Sequence, residues 1–295
     1  MFTQHSISLW SIVKLSPVKI AITWSMVILE NVLLILLPLF IGYAIDGVLA
    51  NDTTPLFWFA TSLFCLVTVS VLRRFYDTRV YGGIRVRLAE RVAHNLKEAD
   101  VSSKSARLTM SRELVDFLEN DLPALMTAAI QLVSIVIILA TFHTYFALSV
   151  LLASCGMLMV YGCCHNTFKR LNGKLNDQTE QQVKVLSAKP FAALSAHLEK
   201  LKKHEIALSD TEALVYGFIF ALLFISVLCN LWLVKIVPSP STGEVFSILT
   251  YSLEFVDTAI MLPVTLQVLS RLSEITQRLN RGNETQLTKE GSYEV

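Results

Sequence analysis

Charge is scarce in this sequence, and its scarcity excludes most soluble folds. Asp, Glu, Lys and Arg make up 17% of the 295 residues, whereas 53% of the residues are hydrophobic. The longest charge-free stretch runs from Leu122 to Phe168. Soluble domains average about 25% charged residues. We therefore interpret the chain as an integral membrane protein that lies in a lipid bilayer.

Several chemical motifs are also missing. All five cysteines lie in apolar runs, which excludes the disulfide framework of a small secreted protein. The first twenty residues lack a basic region followed by a cleavage site, so we expect no signal peptide. No nucleophile arrangement, zinc-ligand spacing or nucleic-acid motif stands out. We expect no enzyme activity, no catalytic residues, no bound metal, no cofactor and no nucleic-acid partner.

Apolar segments predict six membrane spans. An interfacial helix at residues 5–16, anchored by Trp10, precedes the first span, and Pro17 separates the two. The predicted spans are Val18 to Val48, Thr53 to Leu72, two within Leu122 to Phe168 joined by a turn near Thr141 to Tyr145, Ala213 to Val234, and Glu244 to about Ser270.

Two charged arms, residues 73–121 and 169–212, predict long helices that leave the membrane, with a break at Val101 to Ser105. Of the 25 Lys and Arg residues, all except Lys235 fall in the arms, the N-terminal segment or the tail. Because basic residues accumulate in cytoplasmic segments, we expect both termini in the cytoplasm of a bacterial inner (plasma) membrane. The predicted parts are an interfacial elbow helix (residues 1–17), a six-helix transmembrane domain (18–279) and a polar cytoplasmic tail (280–295).

Several motifs resemble one family. The first span carries Glu30 followed by LLPLFIGYAIDGVL, the first arm carries GIRVRL at Gly83 to Leu88 and SRELVDFLEND at Ser111 to Asp121, and the sixth span opens with STGEVFSILTYSLEF. Together they resemble the transmembrane domain of ABC exporters of the type IV fold, over about Leu9 to Leu279. The resemblance implies an all-α membrane protein that forms a homodimer, in which two copies swap their fourth and fifth helices.

The sequence departs from that family in two ways. An exporter chain continues into a nucleotide-binding domain, whereas the only Gly-Lys pair here, Gly173-Lys174, lacks the rest of a phosphate-binding G-x-x-x-x-G-K-[ST] loop. The arm segment that docks on the ATPase usually has aromatic residues and a glycine, where this chain has Ser105, Ala106 and Arg112. The chain thus resembles the groups with this membrane fold but no ATPase, which include proton-driven peptide importers.

Two acidic positions are candidates for the substrate or proton pathway. Glu254 and Asp257 lie three residues apart on the sixth span and so share one helix face, on which Tyr251 would also line a cavity. Neighbouring carboxylates favour uptake of a proton. Glu30, in the first span, is a third candidate, because a charge inside a membrane helix normally faces an interior or a water-filled path. The alternative for each acid is pairing or capping within the fold.

Two further groups of residues, three sulfur-bearing side chains on the fourth span and Asp46 on the first span, can be explained by structural roles. Cys155, Met159 and Cys163 recur every four residues on the fourth span, a pattern that would suit a path for a soft metal ion. Their alternative role is apolar packing between helices. Asp46 is expected to end the first span and to pair within the outer turn.

The favoured function is transport of a small molecule, peptide or ion by alternating access, without ATP hydrolysis in this chain and with a proton or ion gradient as the energy source. One alternative is the membrane subunit of an ABC transporter whose ATPase is a separate polypeptide. Another is an ion channel or a membrane scaffold that transports nothing. Neither the substrate nor the direction of transport follows from the residues, because a fold does not fix a function.

Overall fold

The computed structural model describes residues 9–95, 101–182 and 191–261, and the regular structure in these ranges is helical. The start of the predicted elbow helix, the end of the predicted sixth span and the tail 280–295 lie outside the described residues.

The first two helices form around a proline. Helix α1 covers Leu9–Val13 and α2 covers Pro17–Leu49, with Pro17 in its first turn. Proline suits this position because its fixed φ is helical and its missing N–H has no partner at a helix start. The predicted first span is confirmed to within one residue at each end.

A tight turn connects α2 to α3, which covers Thr54–Asn95. Asn51 has a φ of 58° in this turn, a left-handed conformation that asparagine tolerates better than most residues. Asp52 Oδ1 then accepts a hydrogen bond from the backbone N–H of Thr54 at 2.9 Å. This backbone bond, with a smaller contribution from the Thr54 hydroxyl, holds the pKa of Asp52 below its usual value.

The first arm is helical on both sides of a short undescribed gap. Helix α3 continues without interruption from the apolar stretch into the arm, and α4 covers Val101–Asp116. The predicted break at Val101 to Ser105 is wrong, because these residues form the first turn of α4. Serine is only mildly unfavourable inside a helix, so a serine-rich stretch does not by itself end one.

A π-helical turn, Phe117–Asp121, joins α4 to α5, which covers Leu122–Phe142. Helix α6 follows at Thr144–Glu180, and His143 caps its start by accepting a hydrogen bond from Tyr145 N at 3.3 Å. The predicted turn between the third and fourth spans is confirmed, and it is a single residue long.

The last two helices complete the described chain. Helix α7 covers Phe191–Leu233 and ends in the 3₁₀ turn Val234–Ile236. Helix α8 begins at residue 242 and is described to residue 261.

Five helical stretches within the described ranges are long and apolar enough to cross a membrane. They are Pro17–Leu49, Thr54–Ala93, Leu108–Phe142, Thr144–Thr179 and Leu194–Ile236. Each contains 33 residues or more, and a helix of that length measures about 50 Å against a hydrocarbon core of about 30 Å. The sixth predicted span corresponds to α8, whose described part ends before the predicted span does.

The chain forms two compact units. The first contains the described residues up to Ile135, Ser241–Ser247 and the described residues from Asp257. Its core is built by α1, α2, α3, α4 and the π-helical turn around the fully buried Ile12, Tyr81 and Leu114. The predicted elbow helix therefore buries one of its side chains in this core.

The second unit contains Val136–Pro240 and Ile248–Val256. Helices α6 and α7 pack closely here, since a Cβ added at Gly156 would lie 2.7 Å from the side chain of Leu222. A polar contact adds to this packing, since Ser149 Oγ donates to the carbonyl oxygen of Ser226 at 3.4 Å. A second polar contact joins α7 to α8, where Asn230 Nδ2 donates to Ser252 Oγ at 2.9 Å.

Candidate functional site

The first charged site lies between α2 and α3 in the first unit, and we call Glu30, Ser70, Arg73 and Asp77 the Arg73 cluster. Arg73 Nε lies 2.5 Å from Glu30 Oε2, and its Nη1 lies 3.4 Å from Asp77 Oδ2. The Ser70 hydroxyl donates to the other oxygen of Glu30. One guanidinium therefore contacts two carboxylates that come from different helices.

Helix geometry explains why these side chains meet. Ser70, Arg73 and Asp77 occupy positions i, i+3 and i+7 of α3, so they lie on one face of that helix. Glu30 supplies the fourth member from α2. The side chain of Asp77 is 3% exposed and that of Glu30 is 14% exposed, so the two acids are shielded from water.

Further polar groups surround Asp77. The Thr23 side chain faces Asp77 from α2, and Trp24 faces Tyr81, one turn further along α3, both closely enough to interact. Among the described residues, however, the geometry of a hydrogen bond is not met at five buried atoms of this group: Thr23 Oγ1, Trp24 Nε1, Arg73 Nε, Asp77 Oδ1 and the Tyr81 hydroxyl. Buried polar atoms usually have a partner, so this concentration marks the position as unusual.

A second arginine-centred site lies 12 residues further along α3, and we call Arg85, Asp116 and Glu119 the Arg85 cluster. Arg85 donates to Asp116 Oδ1 from Nε at 2.9 Å and from Nη2 at 2.5 Å, and Nη2 also contacts Glu119. Asp116 ends α4, and Glu119 lies in the π-helical turn. The Arg85 cluster therefore fastens the arm helix to α3 at the turn where its hydrogen-bond register changes.

The two clusters differ in exposure. The Asp116 side chain is 41% exposed, whereas the Glu119 side chain is 6% exposed. Water can hydrate one of the two acids beside Arg85, but both acids beside Arg73 are shielded.

The other end of α2 is fastened to the start of α8. Asp46 Oδ1 accepts a hydrogen bond from Gly243 N at 2.7 Å, and Asp46 Oδ2 accepts one from the Ser241 hydroxyl at 2.6 Å. A Cβ added at Gly42 would lie 2.3 Å from Ser247 Oγ, so the two helices cross at a glycine. A carboxylate at a helix N-terminus is favourable. Asp46 has a structural role, as expected, but its partners lie at the start of α8 and not in the turn after α2, and α2 continues past it to Leu49.

The α8 candidates lie along one helix and differ in exposure. Tyr251 is fully buried, Glu254 is half-buried and Asp257 is exposed. Glu254 and Tyr251 both have interactions with other groups. Their part in a substrate or proton pathway stays a prediction, as does that of Glu30, which the structure pairs with Arg73.

The three sulfur-bearing candidates on α6 are accessible. Cys155 and Cys163 are free and exposed, and Met159 is 70% exposed. In the ranges that the structure describes, no group of three or more His, Cys, Asp or Glu side chains is arranged to hold a metal ion. The soft-metal path stays a prediction.

Sequence reasoning misses three members of the Arg73 cluster. Arg73 and Asp77 resemble the start of a solvated arm, because the apolar run ends at Leu72. One signal is present: Arg73 and Asp77 have opposite charges at i and i+4, with Ser70 on the same face. The partner of that face, Glu30, does not follow from spacing within α3 alone.

These features define a multi-pass helical membrane protein with charged clusters beside its spans. A family model described as an ABC transporter transmembrane region matches residues 9–243. The match covers more than half of the chain, so the chain belongs to this family and is a component of membrane transport. The resemblance expected from the motifs is confirmed. No curated protein matches the chain.

Proposed function

We propose that the chain is a transporter that moves a solute across the bacterial inner membrane by alternating access as a homodimer, with a proton or ion gradient as its energy source. Its 295 residues contain no phosphate-binding loop, so the proposal assigns no ATP hydrolysis to them. The substrate class is open: a small molecule, a peptide or an ion.

The Arg73 cluster carries this proposal. Burying a carboxylate costs several kcal/mol unless it is paired, and this cluster buries two carboxylates beside one arginine. Charged groups enclosed between membrane helices commonly mark ion or proton pathways. A purely structural pair between α2 and α3 would need only one acid.

A gradient is a sufficient energy source for modest accumulation. Moving one elementary charge down 100 mV supplies about 2.3 kcal/mol, and about 1.4 kcal/mol corresponds to a tenfold concentration ratio. One proton per solute would therefore support an accumulation of more than tenfold. Glu254 and Asp257 on α8, with Tyr251, are proposed to line the pathway of the solute or the proton.

Family membership favours a second candidate function, that of a membrane subunit that works with a separate ATPase polypeptide. An ion channel and a membrane scaffold are two further candidates. Each predicts a different energy dependence: ATP-dependent flux for the subunit, passive current for the channel and no flux for the scaffold.

The test begins with purification of the protein from its native membrane and mass spectrometry of the proteins and small molecules that accompany it. The solute found is then offered to proteoliposomes that contain only this chain. We expect accumulation under an imposed pH gradient, its loss with a protonophore, no effect of ATP, and loss of the pH dependence in Glu254→Gln. Co-purification of an ATPase together with flux that requires ATP would contradict the proposal.

A further inference from the structure

The Arg73 cluster contains one more acid than it has basic groups to pair with. Glu30 and Asp77 would contribute two negative charges and Arg73 one positive charge. Two carboxylates that share a site disfavour double ionisation, and shielding from water increases the cost. One added proton would make the cluster neutral.

The contacts single out Asp77 as the acid that takes the proton. Glu30 has two partners, the Arg73 Nε at 2.5 Å and the Ser70 hydroxyl. Asp77 has Arg73 Nη1 at the longer distance of 3.4 Å, and its side chain is more deeply buried, at 3% exposure against 14% for Glu30. Since a close opposite charge favours the charged form of a carboxylate and burial favours its neutral form, Asp77 is the acid that takes the proton.

The charged and polar groups on the neighbouring helices do not change the assignment of the proton to Asp77. On α3, Arg73 and Arg74 act electrostatically on Asp77, and Arg74 is exposed to water. Helix α2 contributes Glu30 as a second negative charge and Thr23 as a neutral hydroxyl. The neighbouring π-helical turn contributes Glu119, which is paired with Arg85, and the described part of α1 carries no charged residue.

We propose that Asp77 holds a proton in the resting protein and exchanges it during the transport cycle, a role separate from the place on the pathway proposed for Glu254. The inference rests on the proposed function, because it assigns the coupling ion and the residue that binds it. Uptake from water forms one O–H bond on the Asp77 carboxylate and removes one negative charge. Release breaks that bond and returns the proton to water.

The buried Thr23 hydroxyl is consistent with this assignment. It faces Asp77 and is fully buried. A hydroxyl can donate to a carboxylate or accept from a protonated carboxyl, so it can serve both states of Asp77. A proton is also the one cation that needs no cage of several oxygen ligands, unlike a metal ion.

The Arg85 cluster provides a matched control. Arg85 also contacts two acids, but Asp116 is 41% exposed and lies 4.0 Å from the exposed Arg112, so water and a second cation can stabilise its charge. Asp116→Asn therefore makes the same chemical change as Asp77→Asn at a place where no bound proton is expected.

Infrared spectroscopy detects a protonated carboxyl through its carbonyl stretching band, whatever the solute is. The full-length protein in phosphatidylcholine vesicles would be titrated from pH 5 to pH 9. Ordinary Asp and Glu side chains are ionised at pH 7, since their pKa values are about 3.9 and 4.3. We expect a protonated-carboxyl band at pH 7 in the wild type and in Asp116→Asn, and its loss in Asp77→Asn.

A conservative variant covers the case in which Asp77→Asn fails to fold. Asp77→Glu keeps a carboxyl group and should move the band to a new frequency. A band that persists in Asp77→Asn, or one that keeps its frequency in Asp77→Glu, would overturn the proposal. So would a wild-type protein without the band at pH 7, or a band that disappears when sodium chloride replaces choline chloride.

These results separate the inference from the proposed function. If flux requires ATP but the band depends on Asp77, the gradient-driven function fails and the proton site stands. If flux follows the pH gradient but the band is unchanged in Asp77→Asn, the function stands and this assignment fails.

Discussion

On helix α3, Arg73 and Arg85 each contact two carboxylates, yet only the Arg85 cluster includes an acid that is well exposed. Asp116, beside Arg85, is 41% exposed, whereas Asp77, beside Arg73, is 3% exposed. Solvent screens exposed ion pairs and reduces their net effect, while shielded charges interact strongly. Although the two clusters carry similar charges, we expect the Arg85 cluster to hold two helices together and the Arg73 cluster to exchange a proton.

The partners of the two clusters support this division. Arg85 connects α3 to the end of α4 and the π-helical turn, so it joins the parts of one arm. Arg73 connects α3 to Glu30 in the first span. Glu30 lies within the apolar stretch of α2, whereas Asp116 and Glu119 precede the charge-free run that begins at Leu122.

The largest difference is expected when each arginine is removed. Arg73→Ala leaves Glu30 and Asp77 without their cation in a shielded site, and loss of a buried partner typically costs about 3–5 kcal/mol. Arg85→Ala should cost less, about 1–3 kcal/mol, because Asp116 keeps its hydration and mainly Glu119 loses a partner. Thermal melting of the purified variants, followed by tryptophan fluorescence, shows which variant loses more stability. Equal losses would contradict the contrast between the clusters.

A smaller effect is expected in the pH dependence of stability. Since the folded protein would hold a proton on Asp77 that the unfolded chain releases at neutral pH, stability should fall as the pH rises from 5 to 8, by at most about 1.4 kcal/mol per pH unit. Asp77→Asn should remove this contribution to the slope of stability against pH, whereas Asp116→Asn should leave the slope unchanged. Melting temperatures across that pH range measure both, and identical slopes in the two variants would contradict the assignment.

The smallest contrast concerns one residue at the edge of each cluster: Ser70, which contacts Glu30, and Arg112, which lies beside Asp116. Ser70→Ala removes a hydroxyl that donates to Glu30, with an expected loss of about 1–2 kcal/mol. Arg112→Ala removes a side chain that is 72% exposed and lies 4.0 Å from Asp116, with an expected effect below about 0.5 kcal/mol. Melting curves of the two variants, measured side by side, should separate them. A larger loss for Arg112→Ala would mean that exposure does not govern these pairs.

Much of the fold could be predicted from the sequence, because the apolar runs and their boundary residues act locally. Pro17 begins α2, and the turn at His143 follows from the length of the charge-free stretch. The predicted interruption at Val101 to Ser105 is wrong, because the weak preference of serine against a helix does not prevent these residues from forming the first turn of α4. These are properties that neighbouring residues determine.

The candidate site depends on contacts between distant segments, and these are harder to predict. Glu30 is recognisable as a charge in an apolar helix, but its pairing with Arg73 depends on how α2 and α3 are rotated against each other. Asp77 follows the apolar run by a few residues, so the sequence places it with a solvated arm. Its burial arises from the core around Tyr81, which α1, α4 and the π-helical turn help to build.

The central claim is that a proton on Asp77 drives transport, and solute accumulation in proteoliposomes under an imposed pH gradient tests it most directly. The wild type and Asp116→Asn should accumulate the co-purified solute above its external concentration. Asp77→Asn should exchange the solute across the membrane without accumulating it, since its side chain can no longer gain or lose a proton. Accumulation by Asp77→Asn equal to that of the wild type would contradict the account.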